Sequence, residues 1–263
     1  MSLSRSSLTR RTLIAGSLSL ALAPKITRAE PAAVVENQPA PLRDPSTYMA
    51  YIPTASKTGQ YAHYTCEFDA AWAIMKTYGV ESTLERQLEV IGVDRDPEPY
   101  YTEDASGIYV YGGDLEKNYC GDWESNFLAR SRGKAMRKVF ESYGLSVRGV
   151  HDRKGIEDCL KKNRLIFIKT TVDFKPWVPA TWITPDNKQY PVVLGNDHAV
   201  VVMGYDEHVV VIRDVLGPTS TNWERPYEYE VYWNQFLSCW GAQGSDGLAV
   251  WVPEPDEAAT PAG

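Results

Sequence analysis

Hydrophobic residues recur at helical spacing through the first half of the chain. Apolar positions fall on one face of residues 66–78, and Gly79 directly after them is typical of a helix end. The same spacing predicts helices over residues 82–91, which open with a capping-box pattern, and over residues 135–143 and 152–162. We therefore expect four helices in this half of the chain.

The hydrophobic period changes in the second half of the chain. Residues 165–170, 199–203, 209–212 and 248–252 are short runs of apolar and β-branched residues bounded by turn residues, and they predict strands. Helices followed by strands are typical of an α+β fold. We expect the N-terminal helices to pack to one side of a C-terminal, mainly antiparallel sheet.

One long segment shows neither period. Residues 93–130 contain several Pro and Gly residues without a sustained apolar repeat. This composition predicts a long, partly ordered excursion from the fold, which could close over a cleft.

The first 29 residues have the composition of an export signal. They carry five basic residues, no acidic residue and an apolar run at residues 13–23 that is too short to span a bilayer. Arg10 and Arg11 shortly before that run resemble a twin-arginine signal, and a plain secretory signal is the alternative. Either signal predicts an exported protein, periplasmic or extracellular after signal cleavage.

The rest of the chain divides by composition. Residues 30–50 are rich in Pro and Ala and indicate a linker, and residues 253–263 indicate a disordered tail. Residues 51–252 hold no internal repeat and no second linker, so we expect one folded domain there.

Charge and motif content exclude several classes of partner. The chain of 263 residues has 27 Lys and Arg against 34 Asp and Glu, and the net charge of −7 disfavours nucleic-acid binding. Because no run of 18 apolar residues exists, we expect no stable membrane insertion. Metal-ligand spacing, a phosphate-binding loop and a dinucleotide-binding glycine pattern are all missing from the sequence, so we expect neither a metal nor a cofactor. The oligomeric state is left open.

Cys66 is the candidate nucleophile. At the start of a helix its sulfur would face unpaired backbone N–H groups and the positive end of the helix dipole, which favour a thiolate. Glu67 and Asp69 in the same turn oppose that effect, so a nearby cation is needed. A histidine would supply it.

A disulfide is the alternative role for Cys66 in an exported protein. The other three cysteines are Cys120, Cys159 and Cys239, and four cysteines allow three pairings. If Cys66 is a nucleophile, another cysteine must also stay unpaired, and Cys159 or Cys239, buried on a helix, is the expected one.

His198 is the candidate base, because it opens one strand of a predicted hairpin whose other strand is followed by Asp214. A three-residue turn would place the two directly opposite each other on one face, where Asp214 could orient the imidazole. A slip of one residue would separate them, although a bulge could repair it. The alternative for His198 is a histidine satisfied by a neighbour at a strand end. Asp197 would project to the other face and Asp206 belongs to the turn.

The other three histidines have no evident acidic residue in the sequence to orient them. His63 is assigned to the rim of a cleft, and His151 and His208 to the surface. Gln60, six residues before Cys66, is a candidate oxyanion donor, because a side-chain amide beside a nucleophile can stabilise a tetrahedral intermediate together with the backbone N–H of Cys66.

These residues together resemble a known family. The combination is similar to papain-like cysteine peptidases akin to the bacteriocin-leader-processing peptidases, and most similar to their exported stand-alone branch. The match extends from about residue 51 to residue 252. It rests on Gln60, on Cys66-Glu67 opening a helix that closes with Tyr78-Gly79, on Asp197-His198 leading to Asp206, and on residues 211–214 followed by Gly217.

The resemblance implies a papain-like fold and a peptidase activity. It assigns Cys66 as nucleophile, His198 as general base, Asp214 as orienting acid and Gln60 as oxyanion donor, with a peptide or protein as substrate. Two alternatives remain open, since fold and catalytic residues do not fix the substrate. One is a Cys-dependent amidase or acyltransferase using the same site, and the other is a non-catalytic papain-like binding module.

Overall fold

The computed structural model describes residues 42–217 and 225–254. The predicted export signal at residues 1–29, the linker as far as residue 41 and the tail from residue 255 lie outside the described residues. No helix within the described ranges combines the length and apolar character needed to cross a membrane.

Helices form where the hydrophobic pattern predicts them, with one addition. The four predicted helices are confirmed as α1 to α4. The fifth, α5, carries Cys239, which the sequence places on a helix without giving its bounds; α5 follows a strand without a break and has no side-chain N-cap to mark its start. The bounds are α1 (Cys66–Thr77), α2 (Leu84–Ile91), α3 (Gly133–Ser142), α4 (Arg153–Leu160) and α5 (Trp233–Ala242).

The strands build three sheets. The largest has the order β12-β11-β10-β7-β13-β6, with β1 paired to β10, and all of its pairs are antiparallel. The four predicted strands are its members β7, β10, β11 and β13. The bounds are β1 (Ala50–Tyr51), β2 (Val93–Asp94), β3 (Tyr100–Asp104), β4 (Gly107–Tyr111), β5 (Tyr119–Cys120), β6 (Ser146–Gly149), β7 (Leu165–Thr171), β8 (Pro179–Ile183), β9 (Gln189–Val193), β10 (Asp197–Tyr205), β11 (Val209–Arg213), β12 (Glu228–Tyr232) and β13 (Gly247–Trp251).

Helices cover both faces of the large sheet. Phe167 and Val201 point to the face covered by α1 and α3. Ile166 and Val200, one residue away on each strand, point to the face covered by α4 and α5. The mixed helical and antiparallel character is confirmed, but the prediction that the helices lie on one side is wrong. The physical reason is that every residue of β7 is buried, so both faces of the strand need a cover.

Residues 93–130 are more regular than the sequence predicts. They contain β2 to β5, and β3 and β4 form a hairpin that joins β8 and β9 in a second sheet of order β3-β4-β8-β9. The segment predicted as a long, partly ordered excursion thus contains four strands that the sequence pattern does not indicate. All five residues of β3 are exposed, so the strand shows no alternation of apolar and polar positions.

The end of the predicted linker packs on the domain. Ala50 pairs with Tyr205 through β1, and the Tyr48 side chain is buried. The Arg43 guanidinium forms ion pairs with Asp206 at 2.6 Å and with Glu230 at 2.7 Å. The folded domain thus begins before residue 51, the predicted boundary.

Candidate active site

Cys66 is the first residue of α1, as the sequence predicts, and the turn before it is fixed by hydrogen bonds. The Thr65 hydroxyl accepts from the Ala62 N–H at 2.9 Å and donates to the Asp69 carboxylate at 2.8 Å. Lys57 forms an ion pair with the same carboxylate. These contacts hold the helix start, and with it the sulfur of Cys66, in one position.

Cys66, His198 and Gln60 line one cleft of about 180 Å³. Leu216, Val172 and residues from the 93–130 segment complete its wall. The full lining is Gln60, His63, Tyr64, Cys66, Phe127, Ala129, Val172, Asn196, Asp197, His198 and Leu216.

Asp214 holds the imidazole of His198. The His198 Nε2 lies 3.0 and 2.9 Å from the two Asp214 carboxylate oxygens, and both side chains are buried. Burial alone would raise the pKa of Asp214, but the nearby His198 and Arg225 outweigh it and hold the pKa well below its usual range. An ionised carboxylate can only accept, so Nε2 carries the proton of the pair and Nδ1 is the other ring nitrogen.

A β-bulge brings His198 and Asp214 to the same face, and the predicted register is wrong. Near the turn Tyr205 pairs with Val210, which would place the two residues on opposite faces. The pairing shifts between Val202 and Gly204, and beyond the shift Val202 pairs with Ile212. The extra residue at the bulge restores the shared face, although the two residues are diagonal rather than directly opposite.

Asp214 has three further partners that the sequence did not reveal. The buried Arg225 guanidinium forms an ion pair with its carboxylate, the Tyr229 hydroxyl donates to it at 2.8 Å, and the Leu216 N–H donates at 2.8 Å. Arg225 also pairs with Asp173 at 2.8 Å. These partners fix the position of the Asp214 carboxylate and favour its ionised form.

The Cys66 sulfur is buried, and its surroundings favour the neutral thiol rather than the thiolate that the helix start favours. Its residue is 6% exposed, and the thiol donates to the Glu67 carboxylate at 3.2 Å. Burial raises the pKa of Cys66 well above its usual value, and Glu67 raises it further. Lys169 acts in the opposite direction without reversing the shift.

A buried ionic network lies next to Cys66. Lys169 on β7 donates to Glu67 at 2.6 Å and to Asp197 at 2.8 Å, and the Ser131 N–H donates to Glu67 at 3.0 Å. Burial alone would lower the pKa of Lys169, but Asp197 and Glu67 raise it above the usual value. The sequence signal for Lys169 is a single charged residue within an apolar run, since a lysine is rarely buried without an ionic partner.

Three side chains at this network have atoms that could bind a metal ion. Ligand atoms of Cys66, Glu67 and Asp197 lie within 4.8 Å of one another. The Lys169 ammonium already bonds both carboxylates, so an ion could bind there only by displacing it. The geometry is that of an ion-pair network, with Lys169 as its cation.

The other histidines and acids lie where the sequence predicts. His63 is exposed at the cleft, where its ring bonds the Glu124 carbonyl, and His151 and His208 are exposed. Asp197 points away from His198 to Lys169, and Asp206 accepts hydrogen bonds within the β10–β11 turn.

All four cysteines fall within the described ranges, and each is buried with its thiol free. Cys66 is therefore not part of a disulfide in this structure. Cys159 and Cys239 lie on helices, as expected.

A thiol at a helix start, in the same cleft as an imidazole held by a carboxylate, is a constellation suited to nucleophilic acyl transfer. The comparisons with known proteins point to the same class. Residues 51–248 match the model of the Peptidase_C39 like family, and the chain belongs to this family of cysteine peptidase-type hydrolases.

The fold has a counterpart among solved structures. A crystal structure of a candidate C39-like peptidase from Bacillus anthracis is 16% identical, covers 78% of this chain and 96% of its own, and superposes with a TM-score of 0.56. At this identity the likeness concerns the fold. No curated protein matches this sequence significantly.

Proposed function

We propose that the protein is an exported, papain-like cysteine peptidase that cleaves peptide bonds of a peptide or protein substrate. Cys66 is the nucleophile, His198 the general base and acid, and Asp214 the orienting acid. The observation that carries the proposal is the hydrogen-bonded His198–Asp214 pair, in the same cleft as the thiol at the start of α1.

The protonation states suggest how the reaction would begin. Because burial and Glu67 raise the pKa of Cys66 and favour its thiol form, we expect the base to take the thiol proton as the substrate enters. The Nδ1 atom of His198 is the nitrogen left for this step. The Cys66 sulfur then attacks the carbonyl carbon, and Gln60 and the Cys66 N–H stabilise the oxyanion. His198 returns the proton to the leaving amine, and water hydrolyses the thioester.

Alkylation tests the pairing of the thiol and the imidazole. We expect iodoacetamide to modify Cys66 faster than the three other cysteines at pH 7, because Cys66 lines the cleft and His198 can take the thiol proton as the sulfur reacts, and we expect His198→Ala to remove that advantage. His63→Ala, which removes an exposed histidine from the same cleft, is the matched control and should retain it. Equal, slow labelling of all four cysteines would contradict the assignment.

Product analysis separates the proposed peptidase from other acyl-transfer enzymes. We expect mass spectrometry to detect cleaved products from a peptide library, and none with Cys66→Ala. Release of amines from wall muropeptides alone, or transfer to an added amine, would identify an amidase or an acyltransferase. Peptide binding without turnover by the unaltered chain would identify a binding module.

Export is tested separately. We propose that residues 1–29 are an export signal, because they are basic, without acid and interrupted by one apolar run. Replacement of Arg10 and Arg11 by lysine should retain the protein in the cytoplasm if the twin-arginine route is used. Unchanged export of this variant would identify the plain secretory route.

A further inference from the structure

Two exposed aromatic side chains pack together beside the cleft. Tyr101 is 46% exposed and Phe127 45%. Their rings meet edge to face with centroids 6.3 Å apart, and Phe127 also lines the cleft. We call these two residues the aromatic rim. Tyr100, the neighbour of Tyr101 on β3, stacks on Tyr111 and is not part of the rim. Single exposed aromatics are common, but a packed pair next to a candidate active site is typical of a binding surface.

The loop that carries Phe127 is fixed to the start of β3. The Glu98 carboxylate accepts from the Asp122 N–H at 2.8 Å and from the Asn126 amide at 2.7 Å. Asn126 also donates to the Pro99 carbonyl at 2.9 Å. The aromatic rim is therefore held in place before a ligand arrives, which lowers the entropy lost on binding.

The surface around the aromatic rim is acidic. Residues 93–130 contain nine carboxylates and three basic residues. Glu103 shares a strand face with Tyr101, and Glu124 lies in the loop of Phe127; both are exposed and neither forms an ion pair with another described residue. Arg95, the neighbouring cation, is paired with Asp122.

We propose that the aromatic rim binds a Lys- or Arg-bearing extended segment of the substrate, close to the bond that is cleaved. Aromatic faces attract cations, and carboxylates on the same surface add charge-assisted hydrogen bonds. Because Phe127 belongs to both the rim and the cleft, a segment bound on the rim continues into the cleft toward Cys66. This inference rests on the proposed function and names its substrate class.

Binding is measured apart from cleavage, on the full chain with Cys66→Ser. The probes are two pools of twelve-residue fluorescent peptides, identical except that two lysines in one pool are glutamines in the other. We expect the lysine pool to bind at least fivefold more tightly at low salt, and the difference to shrink at 0.5 M salt. Equal binding of the two pools would overturn the proposal.

Three variants test whether the preference for lysine depends on the aromatic rim and the carboxylates beside it. Glu103→Lys with Glu124→Lys should abolish it, whereas Glu207→Lys with Glu254→Lys makes the same change of net charge elsewhere and should keep it. Tyr101→Leu removes an aromatic face but no charge, and should reduce the preference about two- to fivefold. A preference that persists in the first variant would overturn the proposal.

Cleavage by the unaltered chain distinguishes the two proposals. Peptide cleavage with no preference for lysine would leave the peptidase proposal standing and overturn the role of the aromatic rim. Lysine-dependent binding without any cleavage would leave the aromatic rim standing and overturn the peptidase.

Discussion

At the scale of single residues, the Cys66 sulfur lies among charges that shift its pKa in opposite directions. Glu67 and burial favour the neutral thiol of Cys66, while Lys169 favours its ionised form. The same Lys169 neutralises Glu67 and Asp197, so each charge in the network limits the effect of the others on the sulfur.

Removal of one charge from this network should shift the reactivity of Cys66 with a defined sign. Since Glu67 raises the thiol pKa, Glu67→Gln should move the midpoint of the alkylation rate to lower pH, and Lys169→Met should move it to higher pH. The rate of iodoacetamide labelling of Cys66 across pH 6–10 measures both. Glu124→Gln, in an exposed loop, is the control; shifts of the same sign in both network variants would contradict the prediction.

Gln60 should matter to the barrier rather than to binding. If it donates to the oxyanion, Gln60→Ala should raise the barrier by about 2.7–4 kcal/mol, seen as a fall in kcat of about 10²–10³ with little change in KM. Gln189→Ala, on the exposed end of β9, should behave as wild type. A wild-type kcat in the Gln60 variant would remove it from the site.

At the scale of secondary-structure elements, α1 joins the site to the sheet. Its first residue carries the thiol, and just past its last turn the Tyr78 hydroxyl donates to the Val250 carbonyl on β13 at 2.8 Å and accepts from the Leu165 N–H on β7 at 2.9 Å. Burial raises the pKa of Tyr78 to about 12, so the hydroxyl keeps its proton for the first bond.

Loss of this hydroxyl should destabilise the fold. Tyr78→Phe keeps the ring but leaves the Leu165 N–H and the Val250 carbonyl without this partner, and we expect the free energy of unfolding to fall by about 1–3 kcal/mol. Tyr232→Phe, at an exposed tyrosine, should change it by less than about 0.5 kcal/mol. Urea denaturation of the Tyr78→Phe and Tyr232→Phe variants and of the unaltered chain measures these changes. Equal midpoints for Tyr78→Phe and the unaltered chain would show that water replaces the two lost hydrogen bonds.

Sequence patterns predict helices that bury one apolar face and strands made of a short apolar run. They miss elements that lack such a pattern. The helix that carries Cys66 and the strand that carries His198 were predictable from apolar spacing. The bulge that aligns His198 with Asp214 has no composition signal, and Arg225 reaches Asp214 only through tertiary folding. Fully exposed β3 carries no alternation of apolar and polar positions, whereas α5 has a helical period, with Trp233, Phe236 and Trp240 buried on one face, and was predictable in full.

At the scale of the whole molecule, buried carboxylates link stability to pH. Asp214 and Asp197 both have pKa values lowered by neighbouring cations despite their burial. A group with a lowered folded-state pKa contributes stability above its unfolded pKa of about 3.9, and that contribution is lost as the pH falls toward the folded value.

We therefore expect the free energy of unfolding to decrease as the pH is lowered from 5 toward 2. Urea titrations at each pH measure the slope. Asp214→Asn should be less stable at pH 7 and should show a shallower slope, because it lacks one of the titrating groups. Asp96→Asn, at an exposed aspartate, is the matched control. A slope unchanged by Asp214→Asn would mean that other groups cause the acid sensitivity.

Helix α1 is attached at both ends, through Tyr78 to the large sheet and through Glu67 to Lys169. Substitutions that move this helix should therefore be tolerated less well than substitutions in the β3–β4 hairpin. A shift of the helix would disturb a strand junction at one end and the ionic support of Glu67 at the other. The β3–β4 hairpin, by contrast, presents its outer strand to solvent and supplies the cleft with a wall through a neighbouring loop. If the aromatic rim binds the substrate as proposed, transplanting that hairpin and loop from a relative is the conservative way to alter substrate recognition without changing Cys66, His198 or Asp214.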